Sequence, residues 1–376
     1  MGYMKKQLKK WHLYFSLGLG GFILLLSISG ALLTFGKEIQ RIVSPQSWVV
    51  EPQRKPIDVK AVIAGLQILA QQQDIKIKSL YLERRRDLAW QARMSNGEQW
   101  NINPHTGEVT DRFAKGSDFY SVILHLHRWL LFSDQPYRDW VRHLISIAAS
   151  VFILQIIIGT VLWLKPRKSA IKRLKIKRHK KLSGTLMQWH LTAGVVTAPI
   201  LILIAYCGIG FNWPVIGKLV EWSTGSHIEK PAEHKLVTVG GMSTWPTALV
   251  NAQQALPAGH LQRIYFPQQK SDPLTLRFRM PAEFHPFSYV WLDGGSGQVL
   301  GSYDASQAST ATRIWNFKYK FHIGDFAGLP IRIAWLLLSL LPMFFVVSGL
   351  WVWWCRHRKS SARERLKIEA FREGQT

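Results

Sequence analysis

The residues best equipped for chemistry are histidines, 13 in a chain of 376. Four of them recur in two matched settings. Trp11-His12 and Trp189-His190 each open a long apolar run, and His127 and His322 each precede one. His125 and His143 lie close to His127 and stand as alternates to it. One histidine at a membrane edge is ordinary, and tryptophan belongs to the interfacial belt. A duplicated set carries more weight. Two-fold symmetry between the settings brings His12 towards His190 at one depth and His127 towards His322 at another.

Facing imidazoles with no companion ligands narrow the metal chemistry. Zinc usually takes four protein or water ligands, and no Cys or carboxylate accompanies these histidines. Haem iron takes two axial ligands, and neutral imidazole suits it. No Cys-x-x-Cys-His occurs, so such a haem is b-type and not covalently attached. Gly18, Gly20, Gly21, Gly30, Gly194, Gly208 and Gly210 offer places where a macrocycle could meet a helix, although small residues also serve helix–helix contacts. Arg128, Arg142 and Arg332 are candidate propionate partners for the outer pair, and Lys9 and Lys10 for the inner one. In His125-Leu126-His127 the two histidines fall on different helix faces. Phe321-His322 aligns with Leu126-His127, which favours His127. The other seven histidines (His105, His179, His227, His234, His260, His285 and His357) read as solvated surface.

Four apolar blocks must position these groups. Leu13–Phe35, Leu144–Leu164, Trp189–Ile216 and Ile333–Cys355 contain no charged residue. A helix needs about 20 apolar residues to cross the hydrocarbon core, so each block reads as a span. Pro199 and Pro342 mark possible kinks. The first block is too long for a typical signal-peptide core and lacks an Ala-x-Ala site, so it reads as an uncleaved anchor.

Charge sets the orientation. Residues 1–10 hold four Lys and no acid, residues 165–181 hold ten Lys or Arg and no acid, and residues 356–376 hold seven against three Glu. These segments account for most of the formal charge of +25. The positive-inside rule places them in the cytoplasm, with both termini inside. The basic excess is thus a topology signal with affinity for anionic lipid, and it gives no reason to invoke nucleic acid. With 47% hydrophobic residues gathered in blocks, the chain is neither disordered nor a simple soluble globule. Two cysteines, Cys207 and Cys355, are too few for a disulfide scaffold and read as packing residues.

The segments outside the membrane repeat one order. Val59–Gln72 has helical periodicity, followed by strand-like Lys76–Glu83, Leu88–Met94 and Gln99–Ile102, then the turn Asn103–Val109 and a further extended piece. Trp245–Ala255 is followed by Leu261–Pro267, Leu274–Met280, Ser288–Leu292 and Asp293–Val299. Arg142, Gly159 and Trp163 recur as Arg332, Gly349 and Trp353 at one offset. The chain is therefore a duplication of span, outer α+β module, span, and the repeats are parallel. Homologous spans, 1 with 3 and 2 with 4, are expected to pair across the axis. The layout is 1–36, cytoplasmic N-terminus and first span; 37–143, outer module; 144–164, span; 165–188, basic loop; 189–216, span; 217–332, outer module; 333–355, span; 356–376, basic tail.

No Walker loop, dinucleotide fingerprint, His-Glu-x-x-His or nucleophile elbow is present. Trp189-His190-Leu191-Thr192-Ala193-Gly194, Leu126-His127-Arg128-Trp129-Leu130 and the Asn103–Val109 turn resemble the PepSY-associated transmembrane family, and the duplicated four-span layout is similar to its siderophore reductases. Span 1 departs from the pattern, with Ser16 where span 3 has Gly194. The resemblance implies a bacterial inner-membrane oxidoreductase with two b haems and PepSY-like periplasmic modules. His12 and His190 would ligate the inner haem, and His127 and His322 the outer. It also implies electron transfer from a cytoplasmic or quinol donor to a ferric siderophore. A PepSY-type binding or regulatory protein without redox activity, and a haem carrier serving another acceptor, are the alternatives. Trp129, Trp140, Trp222, Trp315 and Phe326 could floor the outer site or belong to the interfacial belt.

Overall fold

The computed structural model describes residues 2–164, 171–176, 181–232, 234 and 245–373. In chain order, helices α1 (Gly2–Thr34), α2 (Gly36–Val43), α3 (Pro45–Trp48) and α4 (Val59–Gln72) precede strands β1 (Ile77–Tyr81), β2 (Trp90–Met94), β3 (Glu98–Ile102) and β4 (Val109–Ala114). Helices α5 (Phe119–Trp129) and α6 (Tyr137–Leu164) complete the first half. The second half runs α7 (Leu182–Gly210), α8 (Gly217–Thr224), α9 (Trp245–Ala255), β5 (His260–Tyr265), β6 (Leu274–Arg279), β7 (Ser288–Leu292), β8 (Val299–Tyr303), α10 (Thr310–Ile323) and α11 (Gly328–Glu373).

Helices α1, α6, α7 and α11 are long and apolar enough to cross a membrane, and the chain is a multi-pass membrane protein with two α+β modules. Each helix begins ahead of its apolar block. α11 continues through the basic tail, because a sequence rich in Ala, Arg, Glu, Lys and Leu favours helix. α7 stops at Gly210, ahead of the Ile216 expected from hydropathy. Pro214 lies just beyond and cannot extend a helix. Pro199 and Pro342 lie inside α7 and α11 without ending them. Beside Pro342, the Ser27 hydroxyl of α1 donates to the Ser339 carbonyl and accepts from the Met343 N–H at 3.2 Å, serving backbone groups where the proline interrupts the ladder.

The chain forms two compact units. One comprises Met1–Thr34, Leu126–Pro214 and His322–Thr376 and holds the four long helices. Its extensive packing joins α1 to α6 and α11, and α7 to α6 and α11. The homologous spans are thus not principal packing partners, contrary to the pairing expected from the duplication. α1 and α7 each pack chiefly on helices of the other type. Gly20 permits the close α1–α11 crossing, since a Cβ there would lie 3.2 Å from Val346.

The other unit comprises Phe35–His125 and Val215–Phe321. Its eight strands form one antiparallel sheet in the order β4-β3-β2-β1-β5-β6-β7-β8. The two modules therefore share a sheet, joined where β1 pairs with β5. Alternation sorts the sheet into two faces. One row reads Trp100, Ala92, Leu80, Ile264, Leu276 and Val290 in register. That face is buried with Val62, Ile63, Leu66 and Ala70 of α4 and Ala248, Ala252 and Leu256 after it in sequence on α9 and its end. Asp58 caps α4 by accepting from Lys60 N and Ala61 N. Matching turns lead into β4 and β8. Gly107 and Gly297 have positive φ, and each N–H bonds four residues back, to Asn103 and Asp293, at 2.8 Å. Both cysteines are free.

Candidate functional site: two histidine pairs

The duplicated histidines meet in the helical unit. The His12 and His190 ring centres lie 6.5 Å apart, and those of His127 and His322 lie 6.3 Å apart. Two imidazoles ligating one metal through bonds of about 2 Å place their ring centres roughly 6 Å apart. Packed rings also fall in this range, so the surroundings are what discriminate.

Each ring is set against a helical glycine. A Cβ on Gly30 would lie 3.3 Å from His127 Cε1, on Gly208 3.3 Å from His322, on Gly159 3.4 Å from His12, and on Gly349 3.6 Å from His190. At Gly30 and Gly208 the ring stands where a Cβ would crowd it, and at Gly159 and Gly349 a Cβ would just touch the ring. Gly30 and Gly208, two of the glycines offered for a macrocycle, seat the imidazoles in equivalent positions of α1 and α7, and Gly159 and Gly349 do the same in α6 and α11.

Anchors at Nδ1 hold three of the four rings. His190 Nδ1 lies 2.8 Å from the Ser348 hydroxyl, His127 Nδ1 lies 2.9 Å from the Ser29 hydroxyl, and His322 Nδ1 donates to the Ile204 carbonyl at 3.0 Å. An Nδ1 anchor fixes ring orientation and leaves Nε2 for a ligand, as second-shell partners do at metal sites, and the Ile204 carbonyl, an acceptor only, also fixes the His322 tautomer. His12 differs, because its Nδ1 is buried without a hydrogen-bond partner.

The asymmetry follows the residue before each glycine. It is Ser29 and Ser348 at the hydroxyl-anchored rings His127 and His190, but Ile158 and Cys207 at His12 and at the carbonyl-anchored His322. Each pair therefore combines one hydroxyl-anchored imidazole with one that has none. A second compensated difference lies beside His12. Ser16 donates to the His12 carbonyl at 2.8 Å and accepts from Gln155 Nε2 at 2.7 Å. In the second half, Gly194 leaves room for Phe345, whose ring lies 5.2 Å from that of His190. The Ser16/Gly194 departure in the sequence is one side of this paired exchange.

His127 sits on α5 and His322 on α10, short helices separate from the spans that follow them. The pattern of apolar blocks gave no sign of either helix. The alternates lie apart from both pairs. His125 packs on Gly116 in the sheet unit, and His143 accepts from Trp213 Nε1 at 2.9 Å. Arg142 donates to Asn212 Oδ1 at 3.2 Å, Arg332 donates to the Thr34 carbonyl at 2.6 Å, and Arg128 lies over the Trp129 ring. Lys9 and Lys10 are exposed, as are Trp140 and Trp222, which fits an interfacial belt. Among the seven histidines expected as solvated surface, three are corrections: His234 is half-buried with its ring 4.7 Å from that of Trp291, His105 is half-buried with Nε2 2.8 Å from the Arg86 carbonyl, and the third is His285. It is half-buried between Phe287 and Tyr319. His179 lies outside the described residues.

Among the described residues no three His, Cys, Asp or Glu side chains converge as a metal-ion cage. The donor sets are pairs of imidazoles. A family model described as a PepSY-associated TM region matches residues 9–356. No curated protein matches the chain.

Proposed function

The chain belongs to the PepSY-associated transmembrane family, and on that footing we propose that it is a two-haem oxidoreductase of the bacterial inner membrane that reduces ferric siderophores at the periplasmic face. His12 and His190 would hold the inner b haem, and His127 and His322 the outer. The observation that carries this reading is the pair of facing imidazoles at each position, each ring seated on a glycine and three of the four anchored at Nδ1. Bound haem supplies reversible one-electron chemistry.

The chain's own residues do the rest. The serine and carbonyl anchors orient the rings so that Nε2 is presented. The glycines let the rings press against the helices, and the apolar spans keep water away. The basic segments put both termini in the cytoplasm, so the Trp11-His12 end faces a cytoplasmic or quinol donor. The layout is similar to that of a FoxB-type reductase, which acts on ferrioxamine. The substrate logic is ligand hardness: siderophore oxygens suit Fe(III) far better than Fe(II), so one electron loosens the metal.

The test is a visible spectrum of the detergent-purified protein, oxidised and then dithionite-reduced, with haem quantified per chain. Two haems with sharp low-spin bands, reoxidised by ferric siderophore, are expected. His322→Ala should remove one haem and the ferric reduction together. Folded protein produced with ample haem but lacking a Soret band refutes the reading and leaves a PepSY-type binding module. Two haems that no ferric chelate reoxidises indicate a carrier with another acceptor.

A further inference from the structure

The sheet face opposite α4 and α9 is polar, and its centre is built from arginine and tyrosine. One register row runs Tyr81, Arg263, Arg277, Tyr289 across β1, β5, β6 and β7. Arg263 and Arg277 are direct cross-strand neighbours, an arrangement of like charges that destabilises a sheet. Both are half-buried, and among the described residues neither has a carboxylate within ion-pair distance. Glu83, just after β1, is taken by Lys37 at 3.7 Å and Arg41 at 3.9 Å. Glu283 is committed to the β6–β7 loop, accepting from Met280 N, Phe287 N and the Ser288 hydroxyl.

The guanidiniums rest on aromatic rings instead. Arg263 lies 5.2 Å from the Tyr81 ring centre, and Arg277 lies 5.3 Å from Phe287 and 5.4 Å from Tyr289. Their field reaches the neighbours. Burial, then Arg277, Lys320, Arg263 and Lys37, push the His285 imidazole down to about 3. Burial alone would raise the Tyr265 phenol, yet Arg263 and Arg277 hold it below its ordinary value. His285 is therefore neutral at physiological pH and does not add to the charge.

We infer that the Arg263–Arg277 face binds a compact anionic chelate complex, the anionic class of ferric siderophore, whose negative oxygens satisfy the two adjacent guanidiniums. This deepens the reductase reading and rests on it for the identity of the metal. A tris-catecholate complex of a trivalent metal is trianionic, whereas a simple tris-hydroxamate complex is neutral, so the face should distinguish them. Planar guanidiniums suit fixed oxygen pairs, and the tyrosine rings offer stacking surface to aromatic catechol rings.

The experiment uses the full-length purified protein and complexes of Ga(III), which stands in for Fe(III) and is not reduced under these conditions. Binding of the gallium tris-catecholate and of the neutral gallium tris-hydroxamate is measured calorimetrically. The anionic complex should bind at least roughly tenfold tighter, and its affinity should fall as salt rises. Arg263→Gln should weaken it roughly tenfold or more while leaving haem content and thermal midpoint at or above the parent values. Arg277→Gln is the second variant, although it also loses the 2.6 Å bond to the Pro286 carbonyl. The salt titration on the unaltered protein needs no variant to fold. Equal binding of the two complexes, absence of binding, or undiminished affinity in Arg263→Gln overturns the inference. Because gallium takes no electron, those results leave ferric reduction to be judged separately, and a protein without haem can still show the binding.

Discussion

Alanine in place of each histidine-seating glycine gives the sharpest test of the paired sites. Carbon atoms pack best at about 3.5–4.0 Å. At Gly349 a new Cβ would lie 3.6 Å from its ring, within that range, and at Gly30 and Gly208 it would lie 3.3 Å away. The last two rings must give way by a few tenths of an ångström in a packed interior. Overpacking of this kind costs about 1–3 kcal/mol, which is roughly 5- to 150-fold in haem affinity. Gly349→Ala should change affinity less than about threefold, and Gly159→Ala should fall between. Alanine also improves an interior helical position by about 1 kcal/mol, which offsets part of the packing cost, so the haem-free protein should lose no more than about 2 kcal/mol of stability while haem is lost faster. The assay is transfer of haem to excess apomyoglobin, followed in the Soret band, alongside a melt. The reasoning fails if Gly349→Ala loses haem as fast as Gly208→Ala, or if Gly208→Leu keeps a full complement.

Other tests address the surroundings of the rings and the sheet. Ser348→Ala removes the hydroxyl at 2.8 Å from His190 Nδ1; the imidazole becomes a poorer donor to ferric iron, and one haem potential should rise by about 30–60 mV, since 59 mV is tenfold in a one-electron couple. An unchanged potential in a redox titration would show the contact to be incidental. Ser16→Gly should destabilise the bundle by about 1 kcal/mol, because Gln155 Nε2 loses its 2.7 Å partner, and Gln155→Phe in the same chain should recover much of it, reproducing the Gly194–Phe345 arrangement. An additive double variant argues against that equivalence. His285 is neutral when folded but titrates near 6.5 when unfolded. Between about pH 3 and 6.5 the unfolded chain binds the extra proton, so stability rises with pH through that window and is level above it. From pH 6.5 to 5 the loss should be about 1–2 kcal/mol, and His285→Leu should flatten the slope in the melt. An unaltered slope assigns it elsewhere.

The sequence exposed some levels of this molecule better than others. Uncharged runs and repeated strand patterns marked the spans and modules because hydropathy is a local signal. Helices α4 and α9 and strand β7 carry the boundaries their periodicity implied. The fusion of the modules was invisible, since β1 and β5 join residues about half the chain apart and neither strand announces its partner. His125-Leu126-His127 was read as helical, but the bounds of α5 and α10 were not legible, because neither carries a buried apolar stripe: no residue of α5 and only Ala311 and Thr312 of α10 are buried. Ser29 and Ser348 looked like ordinary small residues of a span. Their one signal is a hydroxyl immediately before a glycine, and that signal acquires meaning only when a histidine from another helix arrives. His285 looked solvated because the arginines and Tyr319 around it come from other elements.

The β1–β5 junction bears on ancestry. A half-length chain would present β1 as a naked sheet edge and contribute one imidazole to each pair. Both deficits are met at once by a second copy of the same half, related by a two-fold axis. The fused chain is equivalent to a pair of half-length chains that share a strand edge through β1 and β5 and each contribute one histidine to each pair. Joining them freed each half to diverge alone, which is how Ser16 with Gln155 could come to face Gly194 with Phe345, a difference no symmetric dimer can encode.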